Sequence, residues 1–369
     1  MKKKIAVLPG DGIGPEVIAQ SIKVLNSIAR RFNHEFVYQY ADVGAMAIDK
    51  TGNPLPESTL QTCMEADAVL FGAIGHPRFD NDPNAKVRPE QAILGLRKQL
   101  GLFANIRPVT TYASLAEISP LKAHITQGVD FVIYRELTGG IYFGEKKRDQ
   151  DQASDLCVYS RMEIERIARL AFEAAGLRRR KLTLVDKANV LETSRLWRDT
   201  VAKLASEYPD IEMDCMFVDN AAMQLILNPG QFDVILTENM FGDILSDEAS
   251  TITGSMGLLP SASVGTGNSL FEPIHGSYPQ AAGQDIANPM AAILSAAMML
   301  DHFGMHAEAK LVRDTVTEAI EEGLVTKDLN PKEFFPCSVL GDLLAAIIEG
   351  EDRNKLNPKN MIISAITII

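Results

Sequence analysis

The feature that most restricts the fold is an alternation. Over the first 75 residues, short apolar runs of strand type take turns with segments of helical period. Residues 5–8 (Ile-Ala-Val-Leu) are continuously apolar, the pattern of a parallel strand buried on both faces. Pro15 then stands where the first turn of a helix tolerates proline, and Val17, Ile18, Ile22, Leu25, Ile28 and Ala29 keep helical spacing. Residues 36–38 and 68–71 read as further strands, with a helix over 56–66 between them. This βαβ alternation predicts an α/β fold with parallel strands. The middle third repeats it, with strands over 131–134, 182–185, 213–218 and 234–237 and helices over 163–175 and 193–206. Helices are expected over 289–303, 306–322 and 339–348. Two stretches read as long irregular segments: 75–89, with His76-Pro77, Asp82-Pro83 and Arg88-Pro89, and 254–283, with six glycines and three prolines.

Composition narrows the partners. With 36 basic and 48 acidic residues among 369, the net charge of −12 gives no electrostatic footprint for nucleic acid. No stretch approaches the ~20 apolar residues of a membrane helix. The apolar start at residues 5–8 is too short for a signal peptide, so a cytoplasmic protein is expected. Cys63, Cys157, Cys215 and Cys337 lie far apart without a CxxC pair and read as reduced thiols. The apolar stretch 361–369 reads as a docked strand or an oligomer contact.

Gly10-Asp11-Gly12-Ile13-Gly14-Pro15 follows a strand and opens a helix, as a dinucleotide fingerprint does. Its spacing is GxGxG, and Pro15 occupies the place of the third glycine and removes an N–H donor. A tight turn is the better reading. Asp243 and Asp247 stand four apart, on one face of a helix. The spacing fits a hard divalent cation, Mg²⁺ or Mn²⁺, as well as it fits a solvated acidic face. Asp219 is a candidate third ligand if the fold brings it near.

Arg97, Arg107 and Arg135 follow or end apolar segments and read as strand-end arginines suited to carboxylate capture. Each singly is more often a surface ion pair. Lys187 closes the run 183–186 at a strand end and serves as a base only where its surroundings depress its pKa. The basic run 178–181 reads as favourable charge at a helix C-terminus, and His275 as a structural loop histidine.

Together these pieces resemble the β-decarboxylating 2-hydroxyacid dehydrogenases, the family of the isocitrate and isopropylmalate enzymes. The motifs are Leu8-Pro-Gly-Asp-Gly-Ile-Gly-Pro-Glu16, Arg135-Glu-Leu-Thr-Gly-Gly-Ile-Tyr-Phe-Gly144, Asp186-Lys-Ala-Asn-Val190, Phe241-Gly-Asp-Ile-Leu-Ser-Asp247 and Gly254-Ser-Met-Gly-Leu-Leu-Pro260. The resemblance spans residues 5 to about 350. It implies a two-domain α/β fold of the isopropylmalate dehydrogenase type, with parallel and mixed sheets flanked by helices, not a Rossmann fold. The first, cofactor-side domain would be discontinuous, residues 1–101 and 255–369, and the second, 102–254, would carry a dimer interface.

Residue by residue, the resemblance implies that Arg97, Arg107 and Arg135 clamp the carboxylates of a malate. It makes Asp219, Asp243 and Asp247 the Mg²⁺ or Mn²⁺ ligands. Lys187 would handle the hydroxyl proton and Tyr142 would protonate the enol, with Lys187 and Asp219 reaching the site across a homodimer interface. NAD would be bound by Glu90, His275, Gly276, Ser277, Gln280, Ile286, Ala287 and Asn288. Gln91, Ile93 and Leu94 stand where isocitrate enzymes place serine and asparagine, so isopropylmalate is favoured, with isocitrate or tartrate as the alternative. Gln280 replaces an aspartate that repels NADP, and the family pattern does not cover the tail 351–369. A catalytically silent binding subunit is the competing reading outside enzymes.

Overall fold

The computed structural model describes residues 1–80 and 85–351; Asp82-Pro83, the apolar stretch 361–369 and the rest of the tail after 351 lie outside them. In chain order come β1 (Lys2–Gly10), α1 (Gly14–Phe32), β2 (Glu35–Tyr40), α2 (Ala45–Thr51), α3 (Glu57–Glu65), β3 (Ala68–Ala73), α4 (Pro77–Asp80) and α5 (Gln91–Gln99). Next are β4 (Leu102–Thr110), α6 (Ala123–Thr126), β5 (Asp130–Glu136), β6 (Lys146–Arg148), β7 (Ala153–Asp155), α7 (Arg161–Leu177) and β8 (Lys181–Asp186). They are followed by α8 (Glu192–Ala205), β9 (Glu212–Phe217), α9 (Val218–Leu227), β10 (Val234–Thr237) and α10 (Asn239–Ser250). Then come β11 (Pro260–Gly265), β12 (Ser269–Pro273), α11 (Met290–His302), α12 (His306–Glu321) and α13 (Cys337–Glu349).

These elements form two compact units. Of the described residues, unit 1 comprises those within Met1–Leu100, Ser255–Ala262 and from Thr266 to Glu351; unit 2 comprises Gly101–Gly254 and Ser263–Gly265, so β11 is divided between them. In unit 1 the strands run β2-β1-β3-β12, all parallel. Ile5, Ala6, Val7 and Leu8 are fully buried, as a continuous apolar run in a covered parallel strand should be. Helices α1 and α11 pack on these strands, and α13 packs on α1. Nearly every side chain of α11 is buried, so it forms the middle of this unit's core.

In unit 2 the order is β4-β5-β10-β8-β9, with β4 antiparallel to β5 and the other pairs parallel. Helices α7 and α8 pack together over a core that includes Ile164, Phe172, Leu184, Trp197 and Leu236. Tyr159 meets Trp197 edge to face, with centroids 5.4 Å apart. The start of α7 is set by a capping box: Ser160 accepts from the Glu163 N–H, and the Glu163 side chain accepts from the Ser160 N–H.

Three expectations need correction. Residues 254–283 contain two strands, β11 and β12. Ser261, Ser263 and Ser269 are buried there, so the usual apolar signature is missing. Residues 75–89 contain the single turn α4. Arg97 and Arg107 do not end strands: Arg97 lies in the last turn of α5 and Arg107 in the middle of β4. The burial of Ala92, Ile93 and Leu96 shows why the first run is helical.

The glycine turn has a structural explanation. Gly10 (φ +72°) and Gly12 (φ +59°) take left-handed conformations, and the Ile13 N–H donates to the Ser277 carbonyl at 2.8 Å. Between them the buried Asp11 carboxylate accepts from the N–H groups of Ala45 (2.9 Å), Met46 (3.2 Å) and Gly75 (3.0 Å). A Cβ on Gly12 would stand 1.9 Å from the Ser277 carbonyl oxygen. Gly12→Ala should therefore cost about 2 kcal/mol or more and lower the thermal midpoint without any dinucleotide present. An unchanged midpoint with weakened dinucleotide binding would restore the phosphate-loop reading.

Candidate active site

The antiparallel register of β4 and β5 sets Asn105 opposite Arg135, and Asn105 and Arg107 share one face of β4 because side chains alternate. Helix α10 lies against this face. Its N-cap, Glu238, accepts from the Phe241 N–H at 3.0 Å. Asp243, Ser246 and Asp247 then project along one side, at helical spacing.

Arg135, 3% exposed, donates from Nε (3.1 Å) and Nη2 (2.9 Å) to Asn239 Oδ1 and from Nη1 to Asp243. Arg107, also buried, donates from Nε to Asn105 Oδ1 at 2.6 Å and from Nη1 to Ser246 Oγ (2.7 Å) and Asp247 Oδ1 (3.2 Å). Tyr142, from the short turn Gly140–Tyr142, donates its hydroxyl to Asp243 Oδ2 at 2.9 Å, and its ring lies 5.8 Å from the Arg135 guanidinium. Burial, followed by the Asp243 carboxylate beside it, raises the Tyr142 pKa above the ordinary phenol value. Tyr142 thus keeps its proton at neutral pH.

Arg107, Arg135, Tyr142, Asp243 and Asp247 are therefore neighbours in unit 2. Lys187, one residue past β8, makes a separate pair, Nζ to Asp219 Oδ1 at 2.7 Å. Asp219 sits in the first turn of α9, and the lysine holds its carboxyl below the usual range. Among the described residues no three carboxylate, histidine or thiol side chains gather as a metal site, so Asp219 does not join Asp243 and Asp247 within one chain. Asp243 and Asp247 alone offer hard oxygen donors at one-turn spacing, a chemistry that suits Mg²⁺ or Mn²⁺.

Unit 1 carries the remaining candidates. Glu90 stands at the N-cap position of α5 without a side-chain capping bond, and Glu90, Ile93, Leu94 and Arg97 fall at helical spacing along it. Ile93 turns into the core while Leu94 is 41% exposed. Arg97 donates to Glu272 at 3.4 Å, and its buried Nε has no hydrogen-bond partner. Such an orphaned donor suits an anionic ligand.

A cavity of about 310 Å³ is lined by Ile13, Met256, Gly257, His275, Gly276, Tyr278, Ile286, Ala287, Asn288 and Asp328. Burial lowers the His275 pKa and keeps the ring neutral; Nδ1 lies 3.0 Å from the Gly276 carbonyl, while the buried Nε2 has no partner. A mostly apolar hollow with one unpartnered ring nitrogen fits an adenine-type ligand. His275, Gly276, Ile286, Ala287 and Asn288 line it; Ser277, Gln280 and Glu90 do not. Ser277 holds the glycine turn, and the exposed Gln280 lends its carbonyl to the Gln284 side chain.

Sequence reasoning missed Asp328, which accepts from Asn288 Nδ2 (3.1 Å) and Ser255 Oγ (2.6 Å). No local pattern signals a lone loop aspartate. It also missed the demand on Gly242, where a Cβ would stand 2.6 Å from Arg135 Cγ and 2.7 Å from its Cβ. Gly242→Ala, a helix-favouring change in isolation, should instead lower stability by about 1–3 kcal/mol and weaken carboxylate binding. Chemical denaturation of the variant checks the sign.

The chain matches the family described as isocitrate/isopropylmalate dehydrogenase over residues 4–344. It is 56% identical over 329 residues to the 3-isopropylmalate dehydrogenase of Bacteroides fragilis (strain YCH46), covering 89% of this chain and 93% of that one. It is 53% identical over 361 residues to the 3-isopropylmalate dehydrogenase of Bacillus subtilis (strain 168), covering 95% and 99%. Among solved structures it is similar to the isocitrate dehydrogenase of Methylococcus capsulatus. There the TM-score is 0.83 at 35% identity, over 94% of this chain and 99% of that one. A β-decarboxylating dehydrogenase of Thermococcus kodakarensis in its apo form gives 0.79 at 37% identity, covering 94% and 96%. The chain belongs to the isocitrate/isopropylmalate dehydrogenase family.

Proposed function

We propose that this protein oxidises 3-isopropylmalate at its hydroxyl carbon and releases a carboxylate as CO₂, yielding 4-methyl-2-oxopentanoate with reduction of NAD in leucine biosynthesis. The observation that carries the reading is the grouping of Arg107, Arg135, Tyr142, Asp243 and Asp247 on α10, its neighbouring strands and the turn Gly140–Tyr142. Arg107 and Arg135 bind the substrate carboxylates, and the unpartnered Nε of Arg97 makes it a further carboxylate-binding candidate. Lys187 of the partner subunit takes the hydroxyl proton as hydride leaves the carbon that bears that hydroxyl, and Tyr142 returns a proton to the carbon that loses CO₂. Asp243 and Asp247, with Asp219 of the partner subunit, are the residues that would hold Mg²⁺ or Mn²⁺, and the His275 cavity would take the adenosine end of NAD. When bound, the cation supplies Lewis acidity at the substrate oxygens and NAD the hydride acceptor.

The alkyl side of the substrate is read from α5, where Leu94 stands exposed one turn before Arg97. A third substrate carboxylate would meet no polar partner at that leucine, which disfavours isocitrate. A homodimer is supported by apolar side chains left exposed on the packed helices α9 and α10: Met223, Leu227 and Ile244. Among the described residues no helix is long and apolar enough to cross a membrane, and the four cysteines are free thiols; we place the protein in the cytoplasm.

A panel of 3-isopropylmalate, isocitrate and tartrate, each with NAD or NADP and Mg²⁺ or Mn²⁺, tests this by absorbance of the reduced nicotinamide. Turnover of 3-isopropylmalate with NAD is expected; activity confined to isocitrate or tartrate would overturn the substrate, and none on any acid the enzyme reading. Lys187→Ala should lower kcat about 10²- to 10⁴-fold while substrate binding by calorimetry stays measurable. Loss of binding in a folded variant would contradict the division of roles.

A further inference from the structure

We propose that Asn239 is a positioning residue for Arg135: it fixes the guanidinium plane through a neutral amide oxygen and leaves the arginine's charge for an anionic substrate. The proposal rests on the functional reading above. Asn239 is the first residue of α10 and 1% exposed. Its Oδ1 receives both the Nε and Nη2 hydrogens of Arg135, at 3.1 and 2.9 Å. Its Nδ2 donates to the Gly139 carbonyl at 3.3 Å, and its backbone N–H donates to the Tyr159 hydroxyl at 3.0 Å. That hydroxyl in turn donates to Glu238 Oε2 at 3.0 Å.

The amide has one workable orientation. Rotating it by half a turn would set its NH₂ against two guanidinium N–H groups and leave the Gly139 carbonyl facing an oxygen. The choice of an amide is itself informative. Three other arginines of unit 2 are held by carboxylates, Arg178 by Asp233 and Asp130, Arg198 by Asp186 and Arg166 by Glu136, whereas Arg107, like Arg135, has its Nε on an amide oxygen and one Nη on a carboxylate of α10. Arg135 already faces Asp243. A carboxylate at position 239 would put a second negative charge on one guanidinium and repel a dianionic malate from it. An amide oxygen steers the same two N–H groups at no cost in charge.

The test is Asn239→Asp, which keeps the size and the acceptor atom and adds the charge, with Asn239→Ser, too short to reach the guanidinium, as companion. Both are compared with wild type by near-UV circular dichroism, by calorimetric titration of 3-isopropylmalate with Mg²⁺ and no nucleotide, and by steady-state kinetics. The expected result is a rise of about ten-fold or more in the dissociation constant and KM for the malate, with KM for NAD within about two-fold. A folded aspartate variant whose malate constants stay within about two-fold of wild type overturns the proposal, as does an equal loss of affinity for malate and NAD. Should the aspartate variant fold poorly, the serine variant decides by the same criterion. Wild type inert toward 3-isopropylmalate is the failure of the functional reading; wild type active with both variants unchanged is the failure of this one.

Discussion

Arg135 is only 3% exposed, so most of its guanidinium hydrogens must be met from within the protein, and it sets the terms for much of unit 2. Its position on β5 dictates that α10 approach closely enough for Asn239 and Asp243 to reach it. That approach demands glycine at 242, which a helix interior disfavours more than any residue but proline. The entry of α10 is fixed in turn by the Glu238 cap and by Tyr159, which packs edge to face on Trp197 in the core. Burial pushes the Glu238 carboxyl above its usual pKa, and the Phe241 N–H and Tyr159 hydroxyl work against that rise. The chemistry-bearing face of the helix is thereby tied to the core around Trp197.

Unit 1 solves a different problem, presenting a mostly apolar hollow in an acidic protein. Asp11 spends its carboxylate on three backbone N–H groups instead of on a ligand. Ile13 closes the glycine turn against Ser277 and adds an apolar wall to the cavity. His275 is kept uncharged by burial, so the hollow carries a ring nitrogen without a fixed positive charge. A Rossmann turn uses helix N-terminal N–H groups for phosphate; here the Ile13 N–H belongs to a carbonyl of the same unit.

What the sequence disclosed depended on range. Period and burial gave β1, α1 and α7 within a few residues, and β10 over 234–237, because apolar runs record which faces are covered. Where buried serines take the place of apolar residues, in β11 and β12, the same rule was blind. Arg97 was misplaced because Ile-Leu-Gly-Leu reads equally as a strand or as one and a half turns of helix. Asp243 and Asp247 were legible as a helical pair from spacing, whereas the roles expected of Tyr142 and Lys187 came only with long motifs shared with a family. Asn105, Asn239 and Asp328 left no trace, since a single amide or carboxylate acquires meaning only from a partner that the fold brings to it.

The split of unit 1 has a consequence for how the molecule is made. β3 pairs with β12, and the turn at Gly12 closes on Ser277, yet all of residues 101–254 are synthesised in between. On a ribosome adding about 5–20 residues per second, the first strands wait tens of seconds for the segment that completes their sheet, while unit 2 has nearly its whole sequence in hand. The outer edge of β3 is then a fully apolar strand with an open row of hydrogen-bonding groups. Nascent-chain vulnerability is thus concentrated in the N-terminal third, and chaperone dependence should follow the order of synthesis more closely than the final stability of either unit.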